Sequence, residues 1–391
     1  MVLPVERMIK LRAWFGVLLI AAWLFGGLLL PPAAVHAQED RPVVVVMRLE
    51  GALTPVMETY LQRGFDLADD LNAELVVIEL STPGGSVDLM DRIIQRIRNY
   101  DRPVIVYVSP RGAMAGSAGT LITLAGHLSA MAPETLIGAA SPVGSQGEDI
   151  GETMETKIKE VMKALARNLT AGRPLAAQFL AEDMIDKAKA VTVDQALQIG
   201  LIDIKAVDLQ DLLAQANGRV VLVMDQERTL NTTDARVEDV PQNFVDQLLL
   251  FLTNPNLVFI LLAVGVQAIL IELSSPGGWV AGFTGAVMLL LAVYGLGLLP
   301  VNWFGLVFVA MAFVLFALDV KAPTHGALTA AGIGSLIAGA LILFNSVRVP
   351  GFEGVSVPLV ILTALVMGAS FSVIVAIGVR AKKTPVQMGS E

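Results

Sequence analysis

The sequence of 391 residues predicts an α/β domain followed by an all-α region that crosses a membrane several times. The first indication is composition: 54% of the residues are hydrophobic and 16% are charged, and the mean hydropathy is +0.67. A soluble domain is usually about 45–50% apolar and about 25% charged. The second indication is that the apolar excess falls in residues 256–379, whereas residues 38–255 show the patterns of a globular domain. The excess therefore indicates membrane segments rather than a larger core.

The composition also excludes several kinds of site. The absence of cysteine rules out disulfides, thiol nucleophiles and cysteine-ligated zinc, and three histidines make a histidine-rich metal site unexpected. The net charge is −9 and no long basic block occurs, so nucleic acid is not an expected partner. We expect a function that needs neither a metal nor another cofactor.

Residues 1–37 have the organisation of an export signal. Three positive side chains, Arg7, Lys10 and Arg12, precede an apolar run over 13–30 and a small-residue stretch that ends at Ala37. A cleaved signal peptide and an uncleaved anchor helix both fit this pattern, and both would export the residues that follow. We therefore expect the domain at 38–225 to lie outside the cytoplasm.

The exported residues alternate strand and helix patterns. The predicted strands are continuous apolar runs at 43–47, 75–80 and 104–108, which is typical of parallel strands buried on both faces. Helical patterns near 55–72 and 87–99 separate them, so right-handed crossovers between parallel strands are expected.

The pattern weakens towards the membrane region. Further helices are predicted near 152–171 and 192–199, followed by a short strand at 201–206. Residues 226–255 are polar at first and carry no strong periodic pattern, so they are predicted to form a linker.

Residues 256–380 are predicted to form a five-helix transmembrane domain. About 20 apolar residues span a bilayer. Breaks rich in proline, glycine or serine divide the region into segments of that length at 256–273, 279–299, 303–321, 325–344 and 357–379. With the α/β domain outside, five spans place the tail at 381–391 in the cytoplasm, where Arg380, Lys382 and Lys383 satisfy the positive-inside rule. The expected location is the plasma membrane.

Two glycine-containing turns carry the candidate chemistry, and each follows a predicted strand. The first covers residues 81–86 and the second covers residues 112–120, where glycines and alanines flank Ser117. A serine at a strand-to-helix turn lies beside free backbone N–H groups that favour developing negative charge. This arrangement suits a nucleophile with an oxyanion hole, although a tight helix start alone would also explain the small residues. A phosphate-binding loop is not expected, because the P-loop pattern is absent.

The base that would activate Ser117 is not fixed by the pattern. If residues 117–127 are helical, His127 lies roughly 15 Å along the axis from Ser117, too far for a hydrogen bond. Lysine is the other base known for serine, provided that burial lowers its pKa. The candidates are Lys157, Lys159 and Lys163 on the helix near 152–171.

Four ordered motifs resemble those of a known family. Residues 82–85 (Thr-Pro-Gly-Gly), 116–120 (Gly-Ser-Ala-Gly-Thr), 131–133 (Met-Ala-Pro) and 137–140 (Ile-Gly-Ala-Ala) look like the NfeD family of membrane-bound serine proteases. The resemblance implies a ClpP/crotonase-like fold for the protease domain, which is related to signal peptide peptidase A. It also implies the signal–protease–multispan layout that the sequence shows.

The resemblance implies a Ser–Lys dyad as the catalytic machinery. Ser117 matches the family nucleophile, and Lys157 matches the family lysine if this chain is two residues shorter before Gly172, with Lys159 as the alternative. The backbone N–H groups of Gly85 and Ala118 match the oxyanion hole. The residues expected to border the substrate are Gly84, Ser86, Val87 and Leu89.

The implied function is that of a membrane-anchored, ATP-independent serine endopeptidase that cleaves apolar segments. Stomatin-like membrane proteins are the implied partners, and a homo-oligomer is expected. Long family members carry an OB-type barrel after the last span, and this chain is expected to lack it. Two alternatives remain: a non-catalytic scaffold for stomatin-like partners, and a crotonase-type enzyme that acts on acyl-thioesters. Export disfavours the latter, because coenzyme A substrates are cytosolic.

Overall fold

The computed structural model describes residues 41–143, 151–274, 279–321, 324, 326–346 and 354–383. The predicted export signal at 1–37 and the end of the predicted tail lie outside the described residues. All elements below belong to one compact unit that begins at Val43.

The strands lie in the α/β part of the chain. They are β1 (Val43–Glu50), β2 (Leu75–Ser81), β3 (Val104–Val108), β4 (Met114–Gly116), β5 (Leu128–Met131), β6 (Leu136–Gly138), β7 (Ala190–Thr192), β8 (Ile204–Lys205), β9 (Val220–Val223), β10 (Gln226–Thr229) and β11 (Arg236–Asp239).

The helices fall into two groups. Those of the α/β part are α1 (Pro55–Asp70), α2 (Val87–Arg98), α3 (Ala118–Ala125), α4 (Glu152–Leu169), α5 (Leu175–Asp186), α6 (Val193–Ile199), α7 (Leu209–Ala216) and α8 (Phe244–Phe251). The apolar helices that follow are α9 (Pro255–Ser274), α10 (Val280–Leu298), α11 (Trp303–Lys321), α12 (Ala327–Asn345) and α13 (Val357–Lys383). An α/β domain followed by an all-helical region is thus confirmed.

The main sheet is parallel, in the order β11-β1-β2-β3-β5-β8. Its two faces are both covered, which explains the continuous apolar runs of the central strands. Val45 and Met47 of β1 face the larger core formed with helices α1 to α6. Val44 and Val46 face a second core formed with α7 and β9.

A second, smaller sheet positions the two glycine-containing turns. It has the order β4-β6-β7, and its three strands are three residues long each. A bridge between Thr82 and Ala115 connects the end of β2 to β4. The turn after β2 and the turn after β4 therefore lie side by side.

The structure differs from the predicted linker at 226–255. Strand β10 pairs with β9, β11 pairs in parallel with β1, and α8 packs against α1. The sequence pattern does not predict β11, because this edge strand has the polar sequence Arg-Val-Glu-Asp. Its pairing with β1 uses backbone groups, and its side chains stay largely exposed. The α/β fold therefore extends past residue 226.

The apolar helices α9 to α13 occur where the five spans were predicted. Among the described residues, three segments are long and apolar enough to cross a membrane: Pro255–Leu273, Val280–Leu298 and Ala327–Asn345. The described side chains of α11 and α13 form shorter apolar segments, Trp303–Asp319 and Val357–Val373. Helices α11 and α12 pack most closely, because glycines let the two backbones approach: a Cβ on Gly305 would lie 2.3 Å from Leu343 N.

Candidate active site

Backbone hydrogen bonds hold the two glycine-containing turns together. Thr82 N donates to Met114 O over 2.8 Å, and Gly116 N donates to Thr82 O over 2.8 Å. These bonds bring the Thr-Pro-Gly-Gly turn against the turn that holds Ser117. The proximity arises from the sheet, since the two segments are far apart in the sequence.

Ser117 lies between β4 and α3 in a strained backbone conformation. Its φ is +50° and its ψ is −120°, a region that non-glycine residues seldom occupy. The Ser117 N–H donates to Gly138 O over 2.9 Å, which holds the turn in this shape. The side chain is half-buried, and within the described residues its hydroxyl makes no hydrogen bond. The serine therefore presents an unengaged hydroxyl directly before a helix N-terminus.

Gly84 packs directly behind the serine. Its φ is +126°, and a Cβ at this position would lie 2.6 Å from Ser117 Cβ and 3.1 Å from Ser117 Oγ. Gly84 N donates to Thr82 Oγ1 over 3.0 Å, and Leu53 N donates to Gly84 O over 2.9 Å. Glycine is required here both by the backbone angle and by the contact with the serine.

Two free amides flank Ser117. Within the part of the chain that the structure describes, neither the Gly85 N–H nor the Ala118 N–H donates a hydrogen bond. Ala118 is the first residue of α3, where the N–H groups have no partner within the helix. Both residues line the same groove as Ser117. Two unengaged donors beside a hydroxyl are the elements of an oxyanion hole.

The groove that contains Ser117 has a volume of about 650 Å³. Six of the residues named from the sequence line it: Gly85, Ser86, Val87, Leu89, Ser117 and Ala118. The Ser86 hydroxyl accepts a hydrogen bond from Leu89 N over 3.2 Å and caps α2. Two predicted site residues do not line the groove: Gly84, which lies behind Ser117, and Lys157, which is exposed on α4.

Among the described residues, none of the three candidate lysines forms a hydrogen bond with Ser117. Lys159 Nζ donates to Asp186 O over 3.1 Å and pairs with Glu155 at 2.6 Å. Lys163 pairs with Glu160, and this hydrogen bond raises the pKa of Lys163 above its usual value, which favours the protonated form. Lys157 is exposed and makes no ion pair or hydrogen bond with any described residue. Of the three, only Lys157 is unengaged.

Thr120 is a positioning residue. It belongs to the Gly-Ser-Ala-Gly-Thr motif, but the sequence did not indicate a role for it. Its buried hydroxyl oxygen lies 2.9 Å from Ala115 O and 3.0 Å from Gly138 O, and it accepts from Gly138 N over 3.1 Å. It therefore joins β4, α3 and β6 around Ser117. A hydroxyl three residues after the serine was the available signal.

His127 lies at the opposite end of the sheet from Ser117. Its Nδ1 accepts a hydrogen bond from Val104 N, at the start of β3, over 3.0 Å. Burial, with a smaller contribution from the positive charge of Arg98, lowers the pKa of His127 from 6.5 to about 4. The interpretation of His127 as a packed residue rather than a catalytic base is confirmed.

This depressed pKa predicts an acid-sensitive fold. The unfolded chain binds a proton at His127 near pH 6.5, but the folded chain does so only near pH 4. The contribution of His127 to stability is therefore complete above pH 6.5 and is lost as the pH falls towards 4, by up to roughly 3 kcal/mol. His127→Asn, which keeps an acceptor for Val104 N, should flatten this part of the stability profile in thermal unfolding of the full chain in detergent. An equally steep profile for the variant would assign the acid sensitivity to other groups.

Both halves of the chain match known families. The profile of the NfeD integral membrane domain matches residues 256–377, and that of the NfeD1b N-terminal domain matches residues 43–226. Membrane-bound protease PH1510 from Pyrococcus horikoshii is 34% identical over 362 residues, covering 89% of this chain and 80% of that protein. Membrane protein NfeD1b from Bacillus subtilis is 28% identical over 335 residues, covering 85% and 74%.

Among the solved structures that are similar is a lysine-to-alanine variant of the 1510-N membrane-bound stomatin-specific protease in complex with a substrate peptide. It is 35% identical and covers 54% of this chain and 98% of its own, with a TM-score of 0.49.

Proposed function

Because this chain belongs to the NfeD family of membrane proteins, we propose that it is a membrane-anchored serine endopeptidase that uses a Ser–Lys dyad and no ATP. The parallel main sheet of its α/β domain, covered on both faces, agrees with the ClpP/crotonase-like fold that the family resemblance implies. The observation that carries the proposal is the group formed by Ser117, Gly85 and Ala118. A strained serine with an unengaged hydroxyl shares one groove with two unengaged N–H groups.

The proposed reaction is acyl transfer through Ser117. The neutral amine of Lys157 accepts the hydroxyl proton as Ser117 Oγ attacks the peptide carbonyl carbon. The N–H groups of Gly85 and Ala118 stabilise the resulting oxyanion. The protonated lysine then donates its proton to the leaving amine, and the C–N bond breaks to leave an ester on Ser117. Water, deprotonated by the same lysine, hydrolyses the ester and restores the serine.

Lys157 is our choice of base because it is the unengaged member of the three lysines. Lys159 and Lys163 are held by carboxylates and by the carbonyl of Asp186. Neutral lysine at ordinary pH requires desolvation. We propose that an apolar substrate covers Lys157 when it binds, which would supply that desolvation.

Relatives suggest the substrate and the partners. A similar structure is described as a stomatin-specific protease, so we propose stomatin-like membrane proteins as substrates or partners. The predicted domains stand as proposals: a protease domain outside the cytoplasm, a five-span membrane domain and a cytoplasmic tail. The chain is a membrane protein. Leu175 and Phe179 of α5, with exposures of 69% and 66%, support the proposed homo-oligomer.

Lysine substitutions test the dyad. The full chain in liposomes, supplied with apolar peptides and no ATP, should lose about 10²- to 10⁴-fold in kcat on Lys157→Ala. Lys157→Arg should be equally inactive, because arginine does not deprotonate. Lys189→Ala, which removes a lysine outside α4, is the matched control and should keep wild-type activity.

The outcomes separate the alternatives. Loss of activity in Lys159→Ala but not in Lys157→Ala would mean that the base is Lys159. A folded wild-type chain that cleaves none of the peptides, and that binds stomatin-like proteins, would instead support the non-catalytic scaffold.

A further inference from the structure

The Ser117 groove has two walls that come from different parts of the chain. One wall belongs to the α/β domain and includes Leu53, Gly85 and Val87. The opposite wall belongs to the membrane region and consists of residues 296–301 and Trp303. We call residues 296–303, which include the connection from α10 to α11, the membrane wall.

Hydrogen bonds and packing hold the membrane wall in place. Asn302 N donates to Leu343 O of α12 over 2.9 Å, and Gly305 N donates to Asn302 O over 2.9 Å. Leu299 and Val301 are buried in the core of the membrane helices. Leu298 also lines the groove, but it is half-buried and does not belong to that core. Leu298 is therefore placed to contact a substrate.

The α/β domain is in turn fixed to the start of the membrane region. Arg63 of α1 forms an ion pair with Asp246 of α8, and Asp246 is 4% exposed. Asn243 and Asp246 also form a capping box at the start of α8, and α8 ends four residues before α9 begins. Breaking a buried pair of this kind is costly, so α8, which leads into α9, is held against α1.

The position and chemistry of the groove define its occupant. The membrane wall lies at the ends of two apolar helices, and Trp303, 56% exposed, begins the second of them; at the end of a membrane helix, tryptophan favours the interface. Among the described residues that line the groove, Arg92 alone is charged, and it pairs with Glu58 at 3.0 Å. Transfer of an apolar peptide from the membrane surface into such a groove would cost little free energy, because its apolar surface stays away from water.

We propose that the membrane wall is a specificity element of the protease and that it binds an extended apolar segment directly next to a transmembrane helix of the substrate. This inference rests on the proposed endopeptidase function. It adds that the membrane region selects substrates and does not serve only as an anchor.

Leu298→Ala in the full chain tests the inference. In liposomes, this variant should raise KM for an apolar peptide about fivefold to tenfold, because part of the apolar contact is lost. The kcat and the rate at which a fluorophosphonate labels Ser117 should stay within twofold of wild type. A serine- and glutamine-rich peptide of equal length should show no change in KM. Leu290→Ala, on the same helix but outside the groove lining and largely exposed, is the matched control.

Because KM can also depend on steps other than peptide binding, a crosslinking experiment tests the contact with Leu298 directly. A photoreactive benzoylphenylalanine placed at position 298 of the Ser117→Ala chain should label the bound apolar peptide. Labelling of lipid alone, or an unchanged KM for Leu298→Ala, would overturn the inference. Faster cleavage of every peptide by Leu298→Ala would also overturn it, because the wall would then obstruct the groove. A wild-type chain that neither cleaves peptide nor reacts with the fluorophosphonate would instead overturn the proposed function itself.

Discussion

Replacing Ser117 with alanine is expected to reduce kcat for peptide cleavage by at least about 10³-fold while leaving the fold intact. The substitution removes the attacking oxygen. It retains the backbone N–H that donates to Gly138 O. Alanine has nearly the same backbone preferences as serine, so the strain at φ +50° changes little. The measurement is kcat for the full chain in liposomes, together with covalent labelling by a fluorophosphonate and mass-spectrometric location of the label.

A second serine provides the control for this experiment. Ser141 lies outside the lining of the groove, and its hydroxyl donates to Ile185 O over 2.5 Å. Ser141→Ala should lower stability by about 1 kcal/mol and leave cleavage and labelling at Ser117 unchanged. Cleavage that survives Ser117→Ala would show that another group attacks the peptide.

Gly84→Ala is also expected to reduce activity strongly, by about 10²-fold in kcat. The new Cβ would lie 2.6 Å from Ser117 Cβ, so the serine must move away from the Gly85 and Ala118 amides. The positive φ of Gly84 adds about 1–2 kcal/mol of backbone strain. Cleavage and fluorophosphonate labelling both use the Ser117 hydroxyl, which the new Cβ displaces. The rate of labelling should therefore fall in parallel with kcat.

Gly112→Ala is the control that distinguishes the steric clash with Ser117 from the backbone strain of a positive φ. Gly112 also has a positive φ, +80°, but a Cβ there would have no atom within 4 Å. This variant should lose stability by a similar amount and keep its activity. Equal losses of kcat in the two variants would show that backbone strain, and not contact with Ser117, limits catalysis.

The sequence is most informative where burial imposes a pattern. Strands β1, β2 and β3 each contain a continuous apolar run because both faces of the sheet are covered, and this signal needs no knowledge of the neighbours. Strands β4, β6 and β7 are three residues long, too short for any periodicity. The contact between the two glycine-containing turns depends on these short strands. It could therefore be expected from resemblance but not from spacing.

The candidate site, like the fold, could be predicted from the sequence only in part. Ser117 was accessible to sequence reasoning because small residues surround it at a strand-to-helix turn. The choice among three lysines on one helix was not, because it depends on which groups of α4 and α5 contact each lysine. The membrane wall was hidden for a different reason. Its residues are apolar, as membrane segments generally are, so nothing local distinguishes a groove lining from a lipid-facing surface.

The position of β11 bears on how this protein can be handled outside its membrane. Val240 N donates to Val46 O, and the Tyr60 hydroxyl donates to Val240 O, so the segment 236–240 closes one margin of the sheet. A water-soluble fragment that stopped near residue 225 would leave the N–H and C=O groups of β1 without partners along that margin. Unpaired strands of this kind recruit strands from other copies. Such a fragment should aggregate, whereas one that retains Val240 should stay dispersed.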